Sequence, residues 1–325
     1  MQISERFRAQ VRDRVLPSAP TVEAAALGRW IAERADGTVA GVVFFGSRKH
    51  RAAPQPTSAY DLFVITRSYL PFYRAVRRAG LTRRGPRLMA VLNHALAPNQ
   101  LSIRADAGQS RMQAKCAVIT LDGLRQETSR RRHDHFIAGR LFQPAEVVHA
   151  ADAATGGAIA DCLVNAHALT YEWARPWLPA VFDVSAYGRA LLRISFGREI
   201  RPEPGARADA LWEAQRDYLC AVYAILLEDL AAAGELERRD EGYVMARPPS
   251  LGERLRSDVY FRWSLVRATA RWAKHTVTFE GWLEFLLGKA RRHSSEEIVL
   301  TTRERRMPLI FLWPRLFRYL RQKDK

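Results

Sequence analysis

Two short apolar runs dominate the pattern of apolar and polar positions in the first part of the chain. The first spans Val42 to Phe45 and ends at Gly46, and the second spans Tyr60 to Ile65 and carries one acid, Asp61. Short runs of β-forming residues that end at turn residues predict strands. We therefore expect two neighbouring strands, with an acid on the second.

The sequence on both sides of these two predicted strands has the spacing of apolar residues that is typical of helices. Apolar residues that recur every three to four positions predict helices, and two further runs predict more strands of the same sheet. The predicted helices are 4–15, 21–35, 68–97 with a break at Gly85-Pro86, 159–177, 184–196 and 212–236, and the added strands are 98–104 and 114–121. The pattern predicts an α/β (α+β) fold, with a mixed-sheet domain at 1–150, a helical second domain at 151–258 and an amphipathic, basic and aromatic region at 259–325.

The charge balance narrows the class of partner. The 325 residues include 51 Lys and Arg against 34 Asp and Glu, which gives a net charge of +17. This excess suits an anionic partner, which is a nucleotide, a nucleic acid or an acidic membrane surface. Six arginines lie in and around the first half of the predicted helix 68–97, and for each of them a solvated face is favoured over a phosphate-facing or membrane-facing patch. They are Arg67, Arg74, Arg77, Arg78, Arg83 and Arg84.

Cysteine usage and the N-terminal composition bear on the compartment. Cys116, Cys162 and Cys220 lie far apart, without the spacing of a metal site, and their odd count disfavours a disulfide framework. The N-terminal residues mix acids with bases and contain no apolar signal segment, and no apolar run is long enough to span a membrane. We expect a reduced, cytoplasmic setting.

Gly46 and Ser47 suggest phosphate chemistry. Glycine has no Cβ to hold a ligand away from the backbone N–H groups, and a hydroxyl adds one more donor. Asp61, on the next strand, is suited to hold Mg²⁺ against the same phosphates. Lys115 is suited to neutralise charge on phosphates during transfer, although a lysine at a strand edge is usually solvated.

A strand that ends in Gly46-Ser47, followed by Asp61 on a second strand, resembles the nucleotidyltransferases of the DNA polymerase β superfamily. Members of that superfamily usually carry a second acid two positions after the first, on the same face of the strand. Phe63 occupies that position here, which departs from a two-acid site.

Segments further along the chain resemble one particular family within this superfamily. Residues 138–141, Ala-Gly-Arg-Leu, followed by Gln143-Pro144, resemble the AGRL-x-x-P segment of the mitochondrial-type phosphatidate cytidylyltransferases, the translocator assembly and maintenance family of CDP-diacylglycerol synthases. Other segments match in the same order, and they are Gly46-Ser47, 61–64, Pro98-Asn99, 115–124 and 195–201. The resemblance covers residues 40–203, and that family also has an apolar residue at the position of Phe63.

This resemblance implies a phosphatidate cytidylyltransferase, which transfers CMP from CTP to phosphatidic acid to give CDP-diacylglycerol and pyrophosphate, with Mg²⁺ as cofactor. The implied catalytic residues are Asp61, which also binds the metal, Lys115 and Glu199. The implied substrate-binding residues are Gly46, Ser47, Arg48, Lys49, Arg140 and Arg201. The family usually continues Gly-Ser-Gly-Val, so Arg48 and Lys49 either hinder the phosphate contact or strengthen it through charge.

Several of these residues have structural alternatives. Glu199 and Arg201 are equally suited to a surface ion pair at a helix end, and Arg140 is suited to tying a loop. Asp61 is suited to capping or to pairing with an arginine, but an acid within an apolar strand is costly without a partner, so a functional role is favoured.

Two further sets of residues are assigned structural positions. The segment His133-Asp134-His135 is expected to be a polar surface turn and not a metal site, because an arginine run precedes it. Trp173, Trp177 and Trp212 are expected to lie in the core rather than to stack on bases.

The segment after Met307 interleaves large apolar residues with arginines, a composition typical of an interfacial helix on an anionic surface. We expect it to bind the inner face of the cytoplasmic membrane, which makes the protein peripheral. The predicted membrane residues are Phe311, Trp313, Arg315, Phe317 and Arg318. The alternative is that this tail packs on its own protein.

Two other functions stay open. One is a nucleotidyltransferase that uses another acceptor, either a small molecule or an RNA end, and the other is a non-catalytic basic binding module that has kept the fold. Nucleic acid is not the favoured partner, and the sequence leaves the oligomeric state open.

Overall fold

The structure of this chain is a computed structural model that describes residues 3–50, 59–107, 110–197 and 205–280. Its helices are α1 Glu5–Val15, α2 Val22–Arg34, α3 Ser47–His50, α4 Tyr69–Arg78, α5 Pro86–Ala95, α6 Leu121–Glu127, α7 Ala138–Leu141, α8 Ala153–Ala168, α9 Thr170–Ala174, α10 Val184–Gly197, α11 Gly205–Ala232 and α12 Leu251–Thr278. Its strands are β1 Val39–Phe45, β2 Tyr60–Thr66, β3 Asn99–Ala107, β4 Ser110–Thr120, β5 Glu146–Ala150, β6 Val181–Phe182, β7 Leu236–Arg239 and β8 Gly242–Met245.

Five strands form a mixed sheet in the order β3-β4-β2-β1-β5. β2 pairs antiparallel with β1 and parallel with β4, while β3 and β5 are added antiparallel at the two edges. The predicted strands therefore lie in one sheet, and the α/β (α+β) class is confirmed. The two runs that start the sequence pattern are direct neighbours in it.

Each face of this sheet packs into its own core. Val43, Phe63 and Ile65 point to one face and share a core with residues of α1 and α8. Val42 and Val64 point to the other face and share a core with residues of α2 and α4. Because alternate residues of a strand point to opposite faces, strands buried on both sides appear in the sequence as continuous apolar runs.

Side-chain caps fix where several helices begin. The Ser4 hydroxyl accepts a hydrogen bond from the backbone N–H of Phe7 at the start of α1, and Asp152 caps α8 in the same way. At the start of α12, Ser250 and Glu253 form a reciprocal capping box. These caps satisfy backbone N–H groups that have no partner within the helix.

The sequence predicts a mostly helical chain after residue 150, and the structure adds a small sheet that was not predicted. A second sheet has the order β6-β8-β7 and contacts α10 and α11. Helical periodicity missed this sheet because its strands span only two to four residues. Phe182, Leu236 and Tyr243 connect it to the same core as Val43 of the first sheet.

The predicted division into three regions stays a prediction. The core that contains Val43 also contains residues of α8, α10 and α11, so it extends across residue 150. α12 runs for 28 residues without a break and passes through residue 258.

The tryptophans behave largely as expected. Trp173 and Trp212 are 3% and 1% exposed, which confirms their place in the core. Trp177 is partly buried, and its indole N–H donates to the hydroxyl of Ser257 at 3.1 Å.

Gly188 lies where α10 and α11 are in contact, and its substitution tests this packing. A Cβ at Gly188 would lie 2.5 Å from Cζ3 of Trp212, whose side chain is 1% exposed. We expect Gly188→Ala to lower the free energy of unfolding by about 1–2 kcal/mol, because overpacking outweighs the gain in helix propensity. Gly197→Ala is the matched control, since a Cβ there meets no atom of the described residues within 4 Å. Equal urea midpoints for the two variants would contradict this packing.

Candidate functional site

The turn after β1 forms the first part of the candidate site. Gly46 directly follows Phe45, the last residue of β1, and adopts a φ of +84°, in the left-handed region that favours glycine. A Cβ at Gly46 would lie 2.6 Å from Oδ2 of Asp61. The backbone therefore passes close to the Asp61 carboxylate, and a side chain at this turn would collide with it.

The register of the sheet places Asp61 beside Lys115. Asp61 lies opposite Phe45 of β1 on one side and opposite Lys115 of β4 on the other, and Ser102 of β3 lies opposite Lys115 in turn. Residues directly opposed on neighbouring strands project to the same face, so the side chains of Asp61, Lys115 and Ser102 share one face. All three are partly buried. The structure thus brings the predicted residues Gly46, Asp61 and Lys115 together.

Asp61 supplies one carboxylate to this site. Phe63, two positions later on the same face, is fully buried, and its ring stacks on Phe45 with 4.5 Å between centroids. Within the described residues, no group of three or more His, Cys, Asp or Glu side chains is arranged to hold a metal. Sites that transfer phosphate hold Mg²⁺ with one or two carboxylates together with substrate phosphates. Asp61 and the neighbouring, exposed Ser47 hydroxyl fit that mode of binding.

The two basic residues of α3 have contacts within the protein. The Arg48 guanidinium lies 4.1 Å from the centroid of the Tyr60 ring and donates to its hydroxyl at 3.2 Å. Lys49 forms an ion pair with Glu146, which is 1% exposed and also accepts a hydrogen bond from Thr21 Oγ1 at 2.9 Å. Lys49 therefore neutralises a buried acid, and this contact orients α3 at the end of β1.

Sequence reasoning missed Glu146. This residue lies opposite Phe44 of β1, so it projects to the sheet face opposite that of Asp61. The signal that singled out Asp61 was an acid in an apolar run that needs a partner, and the run 145–148 carries the same signal.

Two segments of the family resemblance pack on each other. A Cβ at Gly139 would lie 2.7 Å from Ser195 Oγ and 2.8 Å from His135 Cδ2. The Ser195 hydroxyl donates to the Gly139 carbonyl at 3.4 Å and lies 3.1 Å from His135 Nε2. The segment 138–141 and the segment that begins at Ser195 are therefore close neighbours, and only glycine at position 139 leaves room for this contact.

Arg140 has contacts that hold the turn before it. Its Nη1 donates to the carbonyl oxygen of Phe136 at 2.7 Å, and its guanidinium lies 3.8 Å from the centroid of the Phe136 ring. The Arg271 guanidinium of α12 lies 4.4 Å from the same ring. These contacts agree with the loop-tying alternative, and a substrate-binding role for Arg140 stays a prediction.

The expectation of a polar surface turn at 133–135 is wrong for two of its three residues. Asp134 and His135 are 1% and 5% exposed. Arg267 and Arg271 of α12 donate to Asp134 Oδ2 at 2.8 Å and 2.6 Å. Burial alone would raise the pKa of Asp134, but these two guanidiniums hold it below its usual value. The partners come from a helix far along the chain, so local sequence gave no sign of them.

α12 is fastened to the loop between α5 and β3. Lys274 Nζ donates to the carbonyl oxygens of Leu96 and Pro98, and Arg271 Nε donates to that of Ala97 at 2.9 Å. Three successive carbonyls thus accept hydrogen bonds from cationic groups of one helix. Burial, followed by the charge of Arg271, lowers the pKa of Lys274 to about 7.

The remaining predicted residues lie outside the described residues. They are Glu199, Arg201, Phe311, Trp313, Arg315, Phe317 and Arg318. Their roles stay predictions. Among the helices of the described ranges, none is both long enough and apolar enough to cross a membrane.

Comparison with known proteins adds no family assignment. No protein-family model matches this chain, and no curated protein matches it. The similarity to the phosphatidate cytidylyltransferases therefore rests on the short segments described above.

Two buried histidines, His135 and His167, and two partly buried ones, His50 and His275, predict a loss of stability in acid. Burial lowers the pKa of His50 and His167 to about 4, and that of His135 and His275 to about 3. An unfolded histidine has a pKa of about 6.5, so between about pH 3 and 6.5 the unfolded chain binds more protons, and stability rises with pH. We expect the free energy of unfolding to fall by about 1–2 kcal/mol per histidine from pH 7 to pH 5, as measured by urea unfolding.

A single histidine variant tests this linkage. His167 hydrogen-bonds through both ring nitrogens, with the Leu163 carbonyl at 2.8 Å and the Tyr218 hydroxyl at 2.9 Å. His167→Gln is expected to be less stable at pH 7, yet its loss between pH 7 and pH 5 should be smaller by about 1–2 kcal/mol. An unchanged pH dependence in His167→Gln would contradict the linkage.

Proposed function

We propose that this chain is a Mg²⁺-dependent CTP:phosphatidate cytidylyltransferase, which converts CTP and phosphatidic acid to CDP-diacylglycerol and pyrophosphate in phospholipid synthesis. The observation that carries the proposal is the approach of the Gly46 turn to Asp61, with Lys115 next to Asp61 in register. Packing of the segment 138–141 against Ser195 gives independent support, because both belong to the family resemblance.

The reaction needs charge stabilisation more than a base. A phosphate oxygen of phosphatidate attacks the α-phosphorus of CTP, a new P–O bond forms, and the bond to pyrophosphate breaks. The attacking oxygen is already ionised near neutral pH, so no strong general base is required. The site must bring two anions together and stabilise charge on both sides of the reacting phosphorus.

The residues of the site divide these tasks. The Gly46 turn and the Ser47 hydroxyl bind the triphosphate, and Asp61 is the ligand that would hold Mg²⁺. The metal, when bound, neutralises phosphate charge. Lys115 contacts CTP or the leaving pyrophosphate from the neighbouring strand. Lys49 supports this arrangement through Glu146 rather than as a free cation.

Other predicted residues complete the proposal. Glu199 helps position metal or substrate, while Arg140 and Arg201 bind substrate phosphate. Arg48 lies at the same turn and contributes charge beside Tyr60.

A lipid substrate places the enzyme at a membrane. The net charge of +17 favours an anionic surface, and the aromatic and basic residues after Met307 have the composition of an interfacial segment. We propose peripheral binding to the inner face of the cytoplasmic membrane.

Pyrophosphate release from CTP tests the activity. In mixed micelles with phosphatidate and Mg²⁺, we expect release by the wild type and a rate at least about 100-fold lower for Asp61→Asn, because the metal ligand is lost. Asp122→Asn is the matched control, since Asp122 is an exposed acid that pairs only with Arg125 in the described residues. Release that does not need phosphatidate would indicate another acceptor. No release under any lipid condition would favour a binding module instead.

Gly46→Ala separates backbone strain from the contact with Asp61. Gly234 has a φ of +74°, and a Cβ there would meet no atom of the described part of the chain within 4 Å, so Gly234→Ala carries the same strain without the collision. Both variants should lose about 1 kcal/mol of stability, because alanine disfavours the left-handed region. Only Gly46→Ala should also lose activity, by at least about 10-fold, since its methyl group displaces the Asp61 carboxylate. Wild-type activity in Gly46→Ala would remove the turn from the site.

A further inference from the structure

A groove at the edge of the main sheet lies beside the candidate site. Its volume is about 760 Å³, and it is bounded by the segment after α4, by the edge strand β3 and by the end of the described chain after α12. Its polar lining consists of Arg83, Arg84, Arg104, Ser102 and Glu280. The sequence alone had favoured a solvated face for Arg83 and Arg84.

Among the described residues, the charge of this groove is not balanced. They contribute three guanidiniums and one carboxylate to its lining, and Glu280 Oε1 already accepts hydrogen bonds from Thr82 Oγ1 at 2.8 Å and from the Arg83 backbone N–H at 2.6 Å. In the described ranges, no ion pair links Arg83, Arg84 or Arg104 to an acid. The Nε of Arg84 is buried and has no hydrogen-bond partner among the residues that the structure describes. A buried cationic donor without an acceptor is costly, and an anion in the groove would satisfy it.

A second large cavity is different in character. It has a volume of about 560 Å³ and also contains arginines. There, Arg175 Nε is likewise buried with no hydrogen-bond partner among the described residues, but Arg130 pairs with Glu172 and Arg175 Nη1 pairs with Glu253, so acids within the cavity already neutralise two of its cations. The groove at β3 is therefore the better anion site of the two.

The sheet register links the groove to the site. Ser102, on the wall of the groove, lies opposite Lys115, and Lys115 lies opposite Asp61. Neighbouring strands lie about 4.8 Å apart, so Ser102 is one strand from Lys115 and about 10 Å from Asp61. The groove wraps around the edge strand β3: Ser102 and Arg104 project to the face of Asp61 and Lys115, while Leu81 and Ile103 belong to the core on the other face. A ligand bound at the edge approaches Lys115 past Ser102, from the side opposite the Gly46 turn.

We propose that this groove binds the phosphate monoester of the acceptor substrate, while the Gly46 turn binds the nucleotide. The inference rests on the proposed cytidylyltransferase function and assigns its second substrate to Arg84 and Arg104. The recognised chemistry is a dianionic phosphate monoester, carried either by a lipid headgroup or by a soluble molecule. Guanidinium groups suit it because they present paired donors to phosphate oxygens.

The double variant Arg84→Gln/Arg104→Gln tests the groove, with Arg74→Gln, at an exposed site on α4, as the matched control. In pyrophosphate release with short-chain dihexanoyl phosphatidate, the double variant should raise the KM for the acceptor by at least about 10-fold, the cost of one lost charged hydrogen bond or more. The KM for CTP should change by less than about 2-fold, since the nucleotide binds elsewhere. An unchanged acceptor KM, or an equal rise in both KM values, would overturn the assignment. Urea midpoints for both variants confirm that they are folded.

Direct binding separates this inference from the proposed function. Calorimetric titration without CTP uses dihexanoyl phosphatidate in one arm and glycerol 3-phosphate in the other, with the wild type and the double variant. Suppose that the wild type releases no pyrophosphate but binds either ligand, and that the double variant binds this ligand at least about 10-fold more weakly. The groove is then a phosphate monoester site, and only the proposed cytidylyltransferase activity is wrong. Binding of both ligands identifies the phosphate as the recognised group, and binding of the lipid alone adds its apolar part. Equal affinities in the wild type and the double variant, or no binding of either ligand by the wild type, would overturn the assignment of the groove as a phosphate monoester site.

Discussion

Burial of the central strands on both faces determines where this chain can carry charge. β1 and β2 lie between two apolar cores, and Asp61 is the only charged residue in their sequences. A charge in such a layer is stable only where the layer ends, near solvent or a partner. Asp61 meets this condition because it lies opposite Phe45, the last residue of β1, where the chain turns away at Gly46. The position of the candidate site follows from the packing of the sheet.

The same constraint explains the other buried acids. Glu146 is stabilised by Lys49, and Asp134 by Arg267 and Arg271, so the two most deeply buried carboxylates of the described residues both have basic partners. Removing one member of such a pair leaves a buried charge without compensation, which is far more costly than losing a surface pair. These pairs therefore also hold the fold together: one orients α3 beside the Gly46 turn, and the other anchors α12.

Sequence pattern predicted the parts of the fold that depend on local periodicity. The sequence predicts α1, α2 and the strands β1 to β4. It also predicts that Asp61, the single acid of β2, acts together with the Gly46 turn. The second sheet was missed because its strands are too short to show a period of two. The burial of Asp134 was missed for a different reason, since its basic partners lie on α12, and pairings between distant segments leave no local pattern.

The placement of charge along one row of the sheet bears on how two anionic substrates would meet. Phosphoryl transfer requires the attacking and leaving oxygens to lie roughly in line through phosphorus, so the two substrates must arrive from different sides. The row that runs from the Gly46 turn through Asp61 and Lys115 to Ser102 ends at the basic groove. A nucleotide at the turn and an acceptor in the groove would meet over Asp61 and Lys115, the only oppositely charged neighbours in that row. In the proposed reaction, Asp61 would be a carboxylate ligand of Mg²⁺ at this meeting point, and substrate phosphates and water would supply further oxygen ligands.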